Sequence, residues 1–154
     1  GDKTIEQLSD ADTKWHANDD SNSIAIIIQH IHGSMISRWT DFLTTDGEKN
    51  SRYRDGEFSQ PDSPKRDDLI ALWDKGWKCL FKTLDSLNED DLVKEIKIRG
   101  QELTVIDAIN RQLSHNAYHI GQIVQIAKER LGADWKTLSI ARSESSSYTP
   151  VKRD

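Results

Sequence analysis

The chain has 154 residues, of which 31% are charged, and its formal net charge at pH 7 is -5. This length suits one domain with a buried core, and the acidic balance argues against a general nucleic-acid binder, which normally carries a basic face. No apolar run approaches the ~18 residues of a membrane span, and the one cysteine excludes an intrachain disulfide. We therefore expect a single cytoplasmic domain over residues 1–154, without nucleic acid or a membrane as partners.

The first half of the chain predicts three helices. A short one covers residues 4–8. The second has an N-cap among the polar residues 21–23, and its apolar residues follow helical spacing as far as Phe42. A polar loop over about 46–62 comes next; we call it the polar loop throughout. The third helix carries an apolar stripe between residues 69 and 87.

The second half predicts a short connection and one long helix. Alternation around Arg99-Gly100 indicates a small β-hairpin or an extended segment. Thr104 then caps a helix over residues 105–131, and Gly132 ends it. A loose tail is expected over about 140–154. The apolar stripe of the long helix is predicted to consist of Ile109, Leu113, Ile120, Ala127 and Leu131. These elements predict an all-α four-helix bundle, with the connection placed before the last helix.

Two histidines stand four residues apart on the long helix, His115 and His119. A helix turns about 100° and rises about 1.5 Å per residue, so the two lie about 40° and 6 Å apart on one face. Neutral imidazoles in this arrangement can hold two corners of a transition-metal site. The alternative is a pair of half-exposed histidines with local hydrogen bonds. Both stand about 110° from the centre of the predicted stripe, at the edge of the buried face.

A metal site of this kind needs a third ligand, and the second helix offers His30 and His32. Two residues apart on a helix, they point about 200° away from each other, so at most one can join the site. Helical periodicity slightly prefers His32, which is about 70° from the apolar stripe, against about 130° for His30. His30 instead shares a face with Ile27, Ser34 and Arg38. The spacing leaves both histidines open.

The segments SIAIIIQHIHGSMISRWTDFLTTDGEK and INRQLSHNAYHIGQI resemble the DinB-like superfamily, specifically a branch of small bacterial proteins related to metal-dependent thiol S-transferases. The resemblance extends over nearly the whole chain. Its motif is one histidine in the second helix and His-x3-His followed by Gly-Gln in the fourth. Carried over residue by residue, it assigns His30, His115 and His119 as metal ligands and keeps His32 as the fallback. It also implies a DinB-like four-helix bundle and a homodimer.

Three neutral histidines leave a divalent ion with an open position, which is typical of catalytic rather than structural metal sites. An ion held in this way lowers the pKa of a bound water or thiol. The resemblance implies a metal-dependent transferase that uses a low-molecular-weight thiol and a small-molecule substrate. Zinc or nickel is expected first, and iron is also compatible. The alternatives are a non-catalytic metal-binding or stress-response module, and a metal-dependent hydrolase with Glu57 or Asp55 as general base.

Three further polar residues complete the candidate site. Arg111 and Arg38 lie within two helical turns of the candidate ligands, where they could bind an anionic substrate or a cofactor carboxylate. Each could equally be a surface arginine paired with a helix neighbour. Gln122 follows the motif glycine and could orient a ligand histidine by a hydrogen bond. Residues 52–54 of the polar loop either close over a ligand or remain an exposed charged segment.

Overall fold

The computed structural model describes residues 1–149, which form three long helices, two short helices and one hairpin. The helices and strands are α1 (Asp2–Ile5), α2 (Asp10–Lys14), α3 (Ile24–Trp39), α4 (Arg66–Asp85), β1 (Glu95–Ile98), β2 (Gln101–Thr104) and α5 (Val105–Leu131). Short 3-10 turns occupy Asp55–Phe58, Glu89–Asp91 and Gly132–Asp134. The fold is therefore mostly helical with one small antiparallel sheet. Within residues 1–149, none of the helices combines the length and apolar character that a membrane crossing requires.

The hydrophobic core is built around α3. The hydroxyl of Ser23 caps this helix by accepting a hydrogen bond from the backbone N–H of Ile26. Twelve of the 16 helical residues are buried, and they pack against apolar side chains of α4 and α5. The helix ends at Trp39, earlier than predicted, and Phe42 is buried from the turn that follows. Because α3 is surrounded on nearly all sides, it has no single apolar stripe from which an inward direction can be read.

The N-terminal segment differs from the prediction. Instead of one short helix over residues 4–8, the chain forms α1 and α2 on either side of a turn. The carboxylate of Asp10 accepts a hydrogen bond of 2.8 Å from the backbone N–H of Arg66, so α2 caps the start of α4. Asp2 accepts one of 2.7 Å from the indole N–H of Trp73. Two helices of four and five residues thus take the place of the fourth helix of a bundle. The prediction of a four-helix bundle was therefore wrong in its first helix, and the fold is not a regular bundle.

The predicted hairpin is present and closes at Arg99-Gly100. Both residues have positive φ, 56° and 73°, as a two-residue type I′ turn requires. Ile96 and Ile98 are buried, so one face of β1 covers the core. Asp46, at the start of the polar loop, accepts hydrogen bonds from the backbone N–H groups of Arg99 and Gly100 at 2.8 and 2.7 Å. The hairpin turn therefore fixes one end of the polar loop.

Helix α5 has the predicted bounds but buries a different face. Thr104 caps it and Gly132 follows its last residue, as expected. The predicted apolar stripe was wrong at Leu113, which is 68% exposed, whereas Ala127 is buried and Ile109, Ile120 and Leu131 are partly buried against the core. The inward face consists of Val105, Ala108, Gln112, Asn116, His119, Ile123 and Ala127. Polar groups of α3 bind this face, which is why it turns inward. Residues 150–154 of the predicted tail lie outside the described part of the chain.

Candidate metal centre

Three histidines from two helices meet in the structure. His30 on α3 and His115 and His119 on α5 each offer one ring nitrogen, and these three atoms lie within 4.8 Å of one another. We call them the histidine cluster. Nε2 of His30 is 3.1 Å from Nε2 of His115. His30 and His119 are 7% and 8% exposed, and His115 is partly buried. The structure thus brings together the three residues that the resemblance assigned.

His32 lies outside this cluster. Its Nδ1 is 2.9 Å from the carbonyl oxygen of Leu72 on α4, so the ring donates its Nδ1–H to that helix. Burial lowers the pKa of His32, which favours the neutral form needed for this single contact. The helical wheel preferred His32 because it assumed one buried face, whereas α3 is buried towards α4 and α5 alike. The fallback ligand therefore contacts α4 and not the cluster.

An ion pair from the polar loop supports His30. Oε2 of Glu57 is 3.0 Å from Nδ1 of His30, and Arg52 donates two hydrogen bonds of 2.7 Å to the same carboxylate. Burial alone would raise the pKa of Glu57, but the hydrogen bonds from Arg52 and His30 outweigh it and the pKa is lowered. The ionised carboxylate accepts the Nδ1 proton, which leaves the Nε2 lone pair of His30 directed at His115.

A glutamine supports His119 in a similar way. Oε1 of Gln122 is 2.8 Å from Nδ1 of His119, so the amide oxygen accepts the Nδ1 proton and Nε2 keeps its lone pair. The amide group of Gln122 also donates to the hydroxyl of Tyr118 at 3.3 Å. The Tyr118 ring lies 4.9 Å from the His119 ring and is 63% exposed. Gln122 is thus placed in direct contact with a candidate ligand.

The surroundings keep His115 and His119 neutral. Burial is the largest cause that lowers the pKa of His115 to about 4, and positive charge at His119, His30 and Arg38 contributes to that value. Burial is also the largest cause that lowers the pKa of His119. A neutral imidazole has one ring nitrogen without a proton, so each of these two rings can offer a lone pair to a cation at neutral pH.

The distance between the ring nitrogens of His30 and His115 fits a transition-metal ion. Metal–imidazole bonds of about 2.0–2.1 Å place two ligand nitrogens about 3.3 Å apart in tetrahedral geometry and about 2.9 Å apart in octahedral geometry. The 3.1 Å between the Nε2 atoms of His30 and His115 lies between these values. Within residues 1–149, no cysteine or carboxylate joins the cluster. A divalent ion held here would keep at least one position for another ligand.

Within residues 1–149, a buried arginine near the cluster has no carboxylate contact. Arg38 is 7% exposed and donates one hydrogen bond of 2.7 Å to Oε1 of Gln112. Its Nε has no partner among the described residues. Burial, together with positive charge on Arg111 and Arg52, lowers the pKa of Arg38 to about 10. The guanidinium is therefore charged at neutral pH, and Arg111 stands exposed within range of its field.

Two features of this site were not predicted. Glu57 was considered only as a general base, whereas it contacts the far side of His30. The inward polar face of α5 was also missed, although Gln112, Asn116 and His119 repeat at helical spacing and could have indicated it.

A cavity of about 580 Å³ lies beside Tyr118 and Gln122, and it is bounded on the other side by the segment that follows α2.

Comparison with known proteins places the chain in a family. The sequence model of the family described as "Protein of unknown function (DUF1572)" matches residues 1–144, and the chain belongs to this family. The match includes all five helices, the hairpin and every residue of the histidine cluster. No curated protein gave a match to the chain.

Proposed function

We propose that this protein is a DinB-like metal-binding protein that acts as a metal-dependent transferase of a low-molecular-weight thiol. The observation that supports this proposal is the convergence of three imidazoles from α3 and α5 on one point, without a carboxylate or cysteine among the described residues of the cluster. Such a site is open, as catalytic metal sites are. Zinc or nickel suits it best, and iron is compatible.

In this proposal His30, His115 and His119 hold the ion through Nε2, and Glu57 and Gln122 fix two of the rings. The bound ion supplies a Lewis acid that lowers the pKa of a thiol, so that the thiol is present as thiolate at neutral pH. The thiolate sulfur forms a bond to an electrophilic carbon of a small-molecule substrate. The leaving group departs with the electron pair of the bond that breaks, and the proton of the thiol passes to solvent.

Arg38 and Arg111 are proposed to bind an anionic group of the thiol or of its substrate. Arg38 is a buried charge whose only hydrogen bond within residues 1–149 goes to a neutral amide, that of Gln112. A carboxylate is the natural partner of such a guanidinium, because it accepts two parallel hydrogen bonds. Arg111 adds a second positive charge on the exposed side.

A pair of small thiols tests the thiol site and the arginines together. In protein loaded with Co²⁺, binding of a thiolate to the ion produces a charge-transfer band in the near ultraviolet. We expect the band with both 3-mercaptopropionate and 2-mercaptoethanol, with tighter binding of 3-mercaptopropionate. Arg111→Gln should remove part of this preference without changing the cobalt content.

Two results would contradict the proposal at different points. Cobalt binding without a thiolate band for either compound would leave a non-catalytic metal-binding or stress-response module. Equal affinities for the two thiols in the wild type would show that Arg38 and Arg111 do not select an anion, while the thiol site itself would stand.

The position of Glu57 favours a transferase over a hydrolase. A hydrolase needs a carboxylate that accepts a proton from a water molecule at the open side of the metal. Both oxygens of Glu57 are engaged by Arg52, and one also contacts Nδ1 of His30. Asp55, the second loop carboxylate considered as a general base, has an 88% exposed side chain and contacts Arg54. Neither is held as a general base at the cluster.

We also propose that the chain is one cytoplasmic domain that forms a homodimer. The support for a dimer is the apolar outer face of α5 and its neighbourhood. Leu113 is 68% exposed, Ile106 is 41% exposed, and Phe81 on α4 is 53% exposed. Apolar side chains at such exposure on adjoining helices are typical of surfaces that associate.

A further inference from the structure

The glycine one turn after His30 makes room for Glu57. Gly33 follows His30 by three residues, so the two lie on the same side of α3. A Cβ atom built at Gly33 would stand 2.6 Å from Cδ and 3.2 Å from Cγ of Glu57, and nearer still to the carboxylate oxygen Oε1. Glycine inside a helix costs about 1 kcal/mol relative to alanine. Here it leaves a gap in the helix surface that the Glu57 side chain fills.

Glu57 is held in this gap from several directions. Arg52 donates two hydrogen bonds of 2.7 Å to its carboxylate, and the side chains of both residues are at most 10% exposed. Gln29 on α3 donates to the backbone carbonyls of Glu57 and Ser59, each at 3.2 Å. The Phe58 ring lies 4.7 Å from the ring of His30. This part of the polar loop is therefore docked on α3 around His30.

The three histidines differ in what binds Nδ1. His30 contacts an ionised carboxylate, His119 contacts the neutral amide of Gln122, and Nδ1 of His115 has no partner among the described residues. Hydrogen bonds to an ionised acceptor are stronger than those between neutral groups. His30 is thus the ring whose tautomer and orientation are fixed most firmly.

We propose that Gly33, Arg52 and Glu57 are positioning residues that hold His30 as the Nδ1–H tautomer and so direct its Nε2 lone pair into the histidine cluster. The polar loop is in this sense part of the metal centre. The proposal rests on the proposed metal site for its consequence, which is tighter metal binding. The tautomer itself is a property of the metal-free protein and is measurable without any ion.

Two variants and two matched controls test this inference. Gly33→Ala displaces the Glu57 side chain, and Glu57→Ala removes the acceptor of the Nδ1 proton. Gly121→Ala is the control for a glycine in a helix, because nothing lies within 4 Å of its Cβ position. Glu48→Ala is the control for a carboxylate on Arg52, which Glu48 contacts at 3.1 Å.

The first measurement is the tautomer of His30 in metal-free protein, from nitrogen-15 NMR of the imidazole rings. We expect the Nδ1–H form in the wild type and both controls, and its loss in Gly33→Ala and Glu57→Ala, which lack an acceptor at Nδ1. The second is zinc affinity by competition with a chelator. We expect a loss of about 10- to 100-fold in the two test variants, the range found for outer partners of metal-bound histidines, and less than about twofold in the controls.

The outcomes separate the inference from the proposed function. An unchanged His30 tautomer with zinc affinity within twofold of the wild type in both test variants would overturn the inference and leave the metal site intact. A wild type that binds no zinc but shows the expected tautomer change would sink the proposed function and support the positioning role. Glu57→Ala leaves Gly33 on α3 unchanged, so it decides the question alone should Gly33→Ala fail to fold.

Discussion

The buried polar network between α3 and α5 gives a sharp prediction for Gln112. Its side chain is 2% exposed. Its oxygen accepts hydrogen bonds from the guanidinium of Arg38 at 2.7 Å and from the indole N–H of Trp39 at 3.1 Å. Its amide group donates to Asn116 at 2.7 Å. Gln112→Ala removes all three contacts in one step and leaves their partners buried.

The magnitude follows from the groups that lose their partners. Each unsatisfied buried donor or acceptor costs about 1–3 kcal/mol, and a charged one costs more. One guanidinium and two neutral groups are affected, and water that enters the new space recovers part of the loss. We expect the free energy of unfolding to fall by about 3–5 kcal/mol, a large share of the 5–15 kcal/mol that is common for a domain.

Urea unfolding followed by tryptophan fluorescence measures this difference. Gln125→Ala is the matched control, because Gln125 lies on the same helix and, among the described residues, its side chain makes one exposed hydrogen bond, to Glu129. The control should change stability by less than about 0.5 kcal/mol. A loss below about 1 kcal/mol for Gln112→Ala, with an unchanged denaturant slope, would refute the view that this network holds α5 against α3.

Three further predictions follow from single contacts. The backbone N–H of Glu48 is the largest cause that lowers the pKa of Asp46 below its ordinary value of 3.8, so the ionised Asp46 stabilises the fold fully above that value and loses this effect as pH falls through the lower folded pKa. Thermal unfolding of the wild type should therefore be more acid-sensitive than that of Asp46→Asn below about pH 4, and equal pH slopes for the two proteins would contradict this. His32→Ala should cost about 1 kcal/mol in urea unfolding, since it loses the bond to the Leu72 carbonyl, and should keep the metal content; lost metal would reverse the assignment of His30. Leu113→Ser should change monomer stability by less than about 0.5 kcal/mol, because this residue is 68% exposed, yet weaken the proposed homodimer in sedimentation velocity. A variant that dimerises as tightly as the wild type would place the interface elsewhere.

The elements with local signals were predictable from the sequence. Thr104 and Gly132 mark the ends of α5 by their own side chain and backbone, and the Arg99-Gly100 turn needs only two residues with positive φ. The middle of the inward face of α5 was not predictable from hydropathy, because Gln112, Asn116 and His119 are polar. Arg38 and Trp39 of α3 bind Gln112 there, and Leu113 lies outside.

In the candidate site too, some residues were predictable from the sequence and others were not. The spacing of His115 and His119 showed two candidate ligands on one face, and the resemblance chose His30 where the helical wheel preferred His32. Periodicity failed at this point because α3 is buried on nearly all sides. Glu57 is 27 residues from His30 along the chain, and its contact depends on how the polar loop docks beside Gly33. A contact of that kind has no local pattern.

Metal binding by His30, His115 and His119 is tested by elemental analysis of tag-free protein, for the wild type beside His30→Ala, His32→Ala and His119→Ala. We expect about one zinc or nickel ion per chain in the wild type and in His32→Ala, and its loss in His30→Ala and His119→Ala with the fold retained. A wild type that holds no metal, even after reconstitution with zinc or nickel, would contradict the proposed metal site.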